Sequence, residues 1–459
     1  MSEVIKLIEK YSTKDNVKNI TVIDVIENYY TLAMRVESVE ESKDFSRFTV
    51  VRVFSDKGWG IVVTPQMDKG KIESAIIKAI KMSEQTTPIK TYSGIAELAN
   101  YRSYSSVFSH REERTPVNTN TSELLDIFYN MKEKANSLLG SHFAWSEITL
   151  TYKKQKKHII TSDGIDVEEV KPTTDILFYV VVRGANRRLS TASGIIGATS
   201  GIELIFSKQL NSLSENVTLR AFQLVNASRI NPVFKGQRVK AVLNYEIAGA
   251  LIHEAVGHML EGDRLIEIGG YATGIKDAKI GDEDVTVIDD PLIPSAYGSY
   301  AFDDEGVKSR RKTLVENGRV VNLLHTRLSA AYFGDNPNGS AHGITHQPRA
   351  LMSNLYLVPK DWKLEEMISD MRKGLYLEGL VSAELRGNLI VIEPEIAYYV
   401  ENGEIKGAIH DLKVATTTNK ALFNVDAIGE TFQLRPGLEK GHPISDGGPP
   451  VRIKNLYVI

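Results

Sequence analysis

The sequence contains no cysteine in 459 residues. That excludes disulfides, a thiol nucleophile and thiolate metal ligands together. It also lacks any apolar run approaching the ~18 residues of a membrane-spanning helix. Charge of one sign is not in excess: 55 Lys and Arg stand against 58 Asp and Glu, for a net charge of −3. A general nucleic-acid binder normally shows a large positive excess. The opening MSEVIKLIEKY mixes Glu3, Lys6, Glu9 and Lys10 with its apolar residues, so it does not read as a secretory signal. There is no repeat at solenoid periods and no low-complexity segment. No P-loop is present, and no G-x-G-x-x-G follows a strand, so nucleotide binding has no support. What remains is the composition of a globular chain, 42% apolar and 25% charged, with room for two to four domains at the usual ~100–200 residues each. The expected setting is the cytoplasm.

Hydrophobic patterning predicts an α+β chain. Ser2 to Tyr11 has the spacing of a short amphipathic helix. Tyr29 to Glu40 and the FTVVRVFSDKGWGIVVT stretch read as strands, the latter a hairpin about Asp56-Lys57-Gly58. Lys69 to Ser83 places Ile72, Ala75, Ile76, Ala79 and Ile80 on one helical face. Glu84 to Asn118 has no period and reads as a linker or an irregular excursion. Thr121 to Leu139 and Gly201 to Val225 read as helices, with the strands ITLTYKKQKKHIIT and DILFYVVVRG between them. The second half is mostly strand, and VENGRVV and VENGEIK carry the Asn-Gly hairpin signal. The expected division is an N-terminal α/β half over residues 1–230, with sub-parts about 1–90 and 115–230, and a β-rich C-terminal domain over 231–459.

One helix carries the chemistry, Tyr245-EIAGALIHEAVGHMLEGD, ending at Asp263. At ~100° per residue, Ile247, Leu251, Ile252, Ala255, Val256 and Met259 cover more than half its circumference, which predicts burial. Two imidazoles and a carboxylate, those of His253, His258 and Glu254, are costly to bury without partners. A metal ion would satisfy all three. The spacing is unusual. In H-E-x-x-H the histidines stand one turn apart on one face, whereas here five residues, ~500° of rotation, leave the rings ~140° apart on a regular helix. Convergence requires a π-bulge, common at functional sites, or unwinding at Gly257, where glycine lowers the cost of distortion. From the two histidines alone, a metal site and a hydrogen-bonded core pair are both open.

These residues bring a resemblance into view. HEAVGHMLEGD is similar to the H-E-x-x-x-H-x-x-x-G-D motif of the TldD/PmbA metalloproteases, TldD branch. RVFSDKGWGIVVT resembles that family's N-terminal hairpin, FDDEGVKSRRKTLVENGRVVNLLHTR its DDEG block, LMSNLYLVP its R-M-[ST]-N block and ISDGGPPVRI its C-terminal tail. The likeness keeps its order along nearly the whole chain. It implies a cytoplasmic metallopeptidase acting on short or unfolded peptides in an enclosed channel. It also implies a dimer, either a heterodimer with a TldE/PmbA-like subunit or a homodimer, with no direct nucleic-acid or membrane partner. His253 and His258 would ligate a divalent metal ion, Zn2+ by family habit, and Glu254 would be the general base. The C-terminal domain would then be built around a buried metal-binding helix. The alternative is a catalytically weak or inactive TldD-like interaction or regulatory subunit, of the kind described as a modulator of DNA gyrase. One departure matters. The family's third ligand is usually a cysteine shortly before the last strand, and RPGLEKGHPISDGGPP offers His442 instead. His442 either takes that place, as an imidazole can, or is a loop histidine. Leu351 stands where the family commonly has arginine.

Other candidates read more plainly. Asp263 is expected to cap or support a loop, the competing role being an acceptor for a ligating histidine. His342 and His346 lie four apart, but Gly339, Gly343 and Pro348 argue for a loop and against a metal pair. His325 is expected to be packed or hydrogen-bonded. Asp303, Asp304 and Glu305 could bind a hard cation, though such a run more often forms a solvated turn. The long strands also suggest a route to substrate, since an unfolded peptide can add to an open sheet edge with little side-chain preference.

Overall fold

Period-two burial builds the first half into one sheet. The computed structural model describes residues 2–65, 68–86, 97–184, 187–229, 234–269 and 274–459. Strands β1 (Val17–Met34), β2 (Val39–Ser55), β3 (Gly58–Thr64), β4 (Tyr104–Ser109), β5 (Phe143–Thr161) and β6 (Ile165–Arg183) lie in the order β3-β2-β1-β5-β6-β4, with β7 (Leu189–Ala198) also paired to β6. At 19 residues, β5 and β6 far exceed the usual ~5–6. The polar centre of β5 persists as strand because carboxylates meet its lysines: Lys153 pairs with Glu27, Lys156 with Glu168 and Lys157 with Asp304.

Helices α1 (Ser2–Ser12) and α2 (Lys69–Gln85) cover one part of this sheet, and α2 buries the five apolar residues its spacing predicts. Helices α3 (Thr121–Leu139) and α4 (Lys208–Val225) cover another, burying Leu124, Phe128, Met131, Leu213, Val217 and Ala221 in one core. The stretch read as a linker differs from expectation in its described part, because β4 pairs in parallel with β6 from Tyr104↔Ile165 to Ser109↔Val170. This edge strand is held by backbone bonds and leaves Val107 and Phe108 exposed, so no burial period marks it.

The second half continues with β8 (Ser228–Arg229), β9 (Arg238–Leu243), helices α5 (Tyr245–Ile252) and α6 (Gly262–Ile268), β10 (Val287–Asp289), β11 (Lys312–Glu316), β12 (Arg319–Val320), helix α7 (Arg327–Phe333), β13 (Ala341–His342), β14 (Arg349–Ala350) and β15 (Asn354–Leu357). After helix α8 (Leu364–Ser369) come β16 (Lys373–Arg386), β17 (Leu389–Glu401), β18 (Glu404–His410), β19 (Val414–Thr417), β20 (Val425–Ile428), β21 (Gln433–Glu439), β22 (His442–Gly448) and β23 (Val451–Val458). They form a sheet ordered β16-β9-β23-β19-β17-β18-β8, with β20 beside β23, and a second ordered β12-β11-β10-β15-β22-β21. Both Asn-Gly signals mark tight turns with positive φ, at Asn317-Gly318 between β11 and β12 and at Asn402-Gly403 between β17 and β18.

Helix α5 lies within the core of this second half, its Ile247, Leu251 and Ile252 packed with apolar residues of both sheets. The two halves meet through side chains. Ile396 and Tyr398 of β17 enter the core under α3 and α4. The expected division near Asn231-Pro232 falls outside the described residues.

Candidate metal centre

The helix predicted to distort does so where the chemistry requires it. Asn244 caps α5, its side chain accepting the Ile247 N–H at 3.1 Å. Past Ile252 the coil widens. His253–Gly257 is π-helical, with the His258 N–H donating to the His253 carbonyl, and His258–Leu260 tightens to a 3-10 turn. Adding a residue to the turn brings His258 back over His253. Their Nε2 atoms stand 3.2 Å apart. Two glycines make room. A Cβ on Gly249 would lie 2.6 Å from the Gly447 nitrogen of β22, and one on Gly257 would lie 2.8 Å from Met352 Sδ.

The third donor is Glu439. Its Oε2 lies 3.7 Å from His253 Nε2, and donor atoms of His253, His258 and Glu439 all lie within 4.8 Å of one another. Donors on one zinc ion with bonds of ~2.0–2.2 Å stand roughly 3.3–3.6 Å apart, so the spacing suits a metal. The other ring nitrogens strengthen the fit. His258 Nδ1 is 2.7 Å from Glu261 Oε1, and His253 Nδ1 is 3.6 Å from Asp446 Oδ2. Arg435 holds Asp446 through two bonds of 3.0 and 2.7 Å. The Glu261 bond calls for a proton on His258 Nδ1, and the Asp446 charge favours one on His253 Nδ1, which makes no hydrogen bond among the described residues. Protons at both positions leave the two Nε2 lone pairs facing each other beside an anionic oxygen. Only a shared proton or a cation relieves that arrangement. Outer carboxylates of this kind accompany metal-ligating histidines.

The electrostatics point the same way. Burial alone would lower the His253 pKa, but the carboxylates of Glu439, Asp446 and Glu254 outweigh it and raise it. The His253 contact in turn holds Glu439 down to about 2, against burial. The pocket thus favours positive charge at its centre. Glu254 sits beside it, half-buried and with no hydrogen bond among the described residues. Burial raises its pKa against the pull of His253 and His258.

The structure groups the remaining candidates differently from expectation. His442 is not brought to the His253–His258 pair. It gathers with Asp304 and His342, their donor atoms within 4.8 Å of one another. The reason is the hairpin register. Lys440 and Gly441, both at positive φ, form a two-residue turn that sets Glu439 opposite His442, and it is Glu439 that reaches the histidine pair. His342 therefore belongs to an ionisable cluster after all, while His346 is exposed and bonds to the Gln347 carbonyl. Asp303, Asp304 and Glu305 are not a solvated turn but buried. Asp303 accepts the backbone N–H groups of Glu305, Val307 and Ala341, at 2.9 to 3.0 Å. Asp304 accepts from Lys157 at 2.7 Å and from the Gly343 N–H at 2.8 Å. Asp263 takes the structural role, pairing with Arg349 and the Ala350 N–H. His325 is hydrogen-bonded to Ser329 and Asp335.

Sequence reasoning missed Glu439, Glu261 and Asp446. Glu261 stood inside the motif, three residues after His258, at a spacing that faces it. The other two are brought in by tertiary structure.

Comparison with known proteins finds relatives along most of the chain. A family model for the PmbA/TldA metallopeptidase C-terminal domain matches residues 236–459. A metalloprotease of Methanocaldococcus jannaschii is 31% identical over 443 residues, covering 92% of this chain and 93% of its own. The zinc metalloprotease TldD homolog of Saccharolobus solfataricus is 28% identical, covering 72% of this chain and 77% of its own. Among solved structures, TldE from Thermococcus kodakarensis shares the fold with a TM-score of 0.79 at 18% identity, covering 100% of this chain and 99% of that one.

Proposed function

The chain belongs to the TldD/PmbA metallopeptidase family, and on that premise we propose that it hydrolyses peptide bonds of short or unfolded polypeptides, using zinc held by His253, His258 and Glu439 and Glu254 as general base. The observation that carries this reading is the convergence of three lone-pair donors beside a carboxyl group that makes no hydrogen bond among the described residues. Two imidazoles and a carboxylate are an established ligand set for catalytic zinc, which supplies Lewis acidity toward water and toward a scissile carbonyl. Glu254 accepts the proton of the attacking water at its carboxylate and returns it to the departing amine nitrogen. Its raised pKa brings it nearer neutrality than an exposed glutamate, so holding the proton between those steps costs less. Glu261 keeps the His258 ring aimed, and Asp446 sets a negative charge beside the outer nitrogen of His253.

Substrate reaches this centre along β21. That strand ends its sheet and carries Glu439 at its tip. A cavity of about 1340 Å3 borders its first half at Gln433, Leu434 and Pro436 and extends to Tyr245 and Glu246 at the start of α5, short of the histidine pair. An extended peptide added to such an edge is held by main-chain bonds, which suits broad specificity. Proline in the peptide blocks such addition because it lacks the donor. The setting we propose is the cytoplasm, with a TldE-like subunit as partner, following the family resemblance. Among the described residues no helix is long and apolar enough to cross a membrane.

The test compares the native chain with Glu254→Gln, each with and without a TldE-like partner, on an unfolded peptide. Both should hold zinc, and the variant should hydrolyse ~10²–10⁴-fold more slowly, the span general-base catalysis contributes. No hydrolysis by either with partner present would overturn the enzyme reading and leave the interaction subunit, and equal, measurable rates in the two would overturn Glu254 as the general base.

A further inference from the structure

The second ionisable cluster lies on the other side of the same hairpin turn. Asp304 comes from the buried 303–306 turn, His342 from β13 and His442 from the start of β22. Two of the three are removed from solvent, Asp304 at 2% exposed and His342 at 8%, and His442 is half-buried. The two imidazole rings stand 4.8 Å apart at 54°, and the edge of Tyr300 packs 4.9 Å from His342. His342 Nε2 is buried with no hydrogen-bond partner among the described residues, a polar atom that folding would not leave bare without cost.

We propose that Asp304, His342 and His442 form a second divalent-metal site, of zinc-like preference, that clips the buried 303–306 turn to the tip of the hairpin bearing Glu439. Two imidazoles and one carboxylate are donors that borderline first-row cations take. The donor atoms lie within 4.8 Å of one another, up to about 1.5 Å beyond the roughly 3.3–3.6 Å separation of donors on one ion, so loading draws them inward. Asp304 is held for the role. Lys157 and the Gly343 N–H hydrogen-bond it from behind, as ligating carboxylates are themselves hydrogen-bonded. The positive charge of Lys157 is met by Asp304 at 2.7 Å and Glu169 at 3.9 Å, and Glu169 also faces Lys171. An anion would instead meet the Asp304 carboxylate lining the same space. The site is distinct from the His253–His258 centre, yet Glu439 and His442 are cross-strand partners, so an ion here restrains the side of the turn opposite the catalytic ligand.

Zinc stoichiometry decides the matter. The full chain is stripped with chelator, reloaded with Zn2+, freed of excess and assayed by plasma mass spectrometry, with circular dichroism to establish folding. Two equivalents are expected in the native chain, one in His442→Gln, one in the His253→Gln/His258→Gln pair and none in the triple variant. His342→Gln duplicates the first variant in case one of them does not fold. Cobalt supplies a second readout: the visible bands kept by the His253→Gln/His258→Gln chain should vanish when His442→Gln is added. Two equivalents that survive both His442→Gln and His342→Gln overturn the proposal, as does a single equivalent lost only with His253 and His258. A single equivalent lost only with His442 upholds this site and overturns the ligand assignment of the first.

Discussion

The identity of the third donor bears most directly on metal affinity. Glu439→Ala removes a carboxylate that lies 3.7 Å from His253 Nε2. Its loss should weaken zinc binding by more than the ~10–100-fold typical of an outer partner, measured by competition with a chromophoric chelator. Glu439→Cys should restore binding, since a thiolate at that hairpin tip supplies the donor type the TldD resemblance expects. If Glu439→Ala binds zinc as the native chain does, Glu439 is not a ligand. Glu261 acts one step back. Glu261→Gln keeps the shape but weakens the charge-assisted bond at 2.7 Å to His258 Nδ1, so zinc affinity should fall ~10–100-fold with the fold intact.

The widened turn of the helix depends on how closely it seats on β22. A Cβ on Gly249 would meet only backbone, the Gly447 nitrogen at 2.6 Å and Cα at 2.7 Å. Alanine there gains up to ~1 kcal/mol of helix propensity, but overpacking costs ~1–3 kcal/mol, more where no flexible side chain can yield. Overpacking should win. Gly249→Ala should therefore lower the urea midpoint and weaken zinc binding together, because pushing β22 away moves Asp446 from His253 and Glu439 with it. A variant as stable as the native chain with native zinc affinity would show that the close approach is not needed.

Across the whole molecule, buried ionic links join the two halves. Arg220 of α4 donates to Glu395 of β17 at 3.0 Å and to Glu246 of α5 at 3.2 Å. Arg220→Met strands two buried carboxylates, and breaking such a pair costs ~3–5 kcal/mol. A loss under ~1 kcal/mol in urea unfolding, the level of an exposed pair, would deny the network that role. Asp175 adds a pH dependence. Burial raises its pKa from 3.8 to about 6, against the Tyr297 hydroxyl at 3.0 Å. The folded state therefore holds this proton more tightly than the unfolded one. The resulting stability is present in full below the unfolded value and is lost as pH rises through about 6. Asp175→Asn should remove that part of the slope, at most ~1.4 kcal/mol per pH unit, seen by comparing urea unfolding of the two chains from pH 4 to pH 7. Identical slopes would count against it.

Much of this protein is determined by sequence order alone, because the rules involved are local. The 3.6-residue period announced α2, α3 and the buried course of α5. Asn-Gly pairs announced their turns, and the five-residue histidine interval beside Gly257 announced a distorted helix, of which the π-helical segment is one of the two forms it left open. The strand at Tyr104–Ser109 was illegible because an exposed edge held by backbone bonds leaves no burial pattern. The buried state of Asp303 to Glu305 was illegible because its partners, Lys157, Arg327 and Ala341, come from distant segments. Only the tertiary structure decided which of two neighbours across a turn meets His253 and His258. Glu439 and His442 are equivalent choices to any local rule, and the register of β21 on β22, together with the seat of α5 against Gly447, turns one toward the histidine pair and the other toward Asp304.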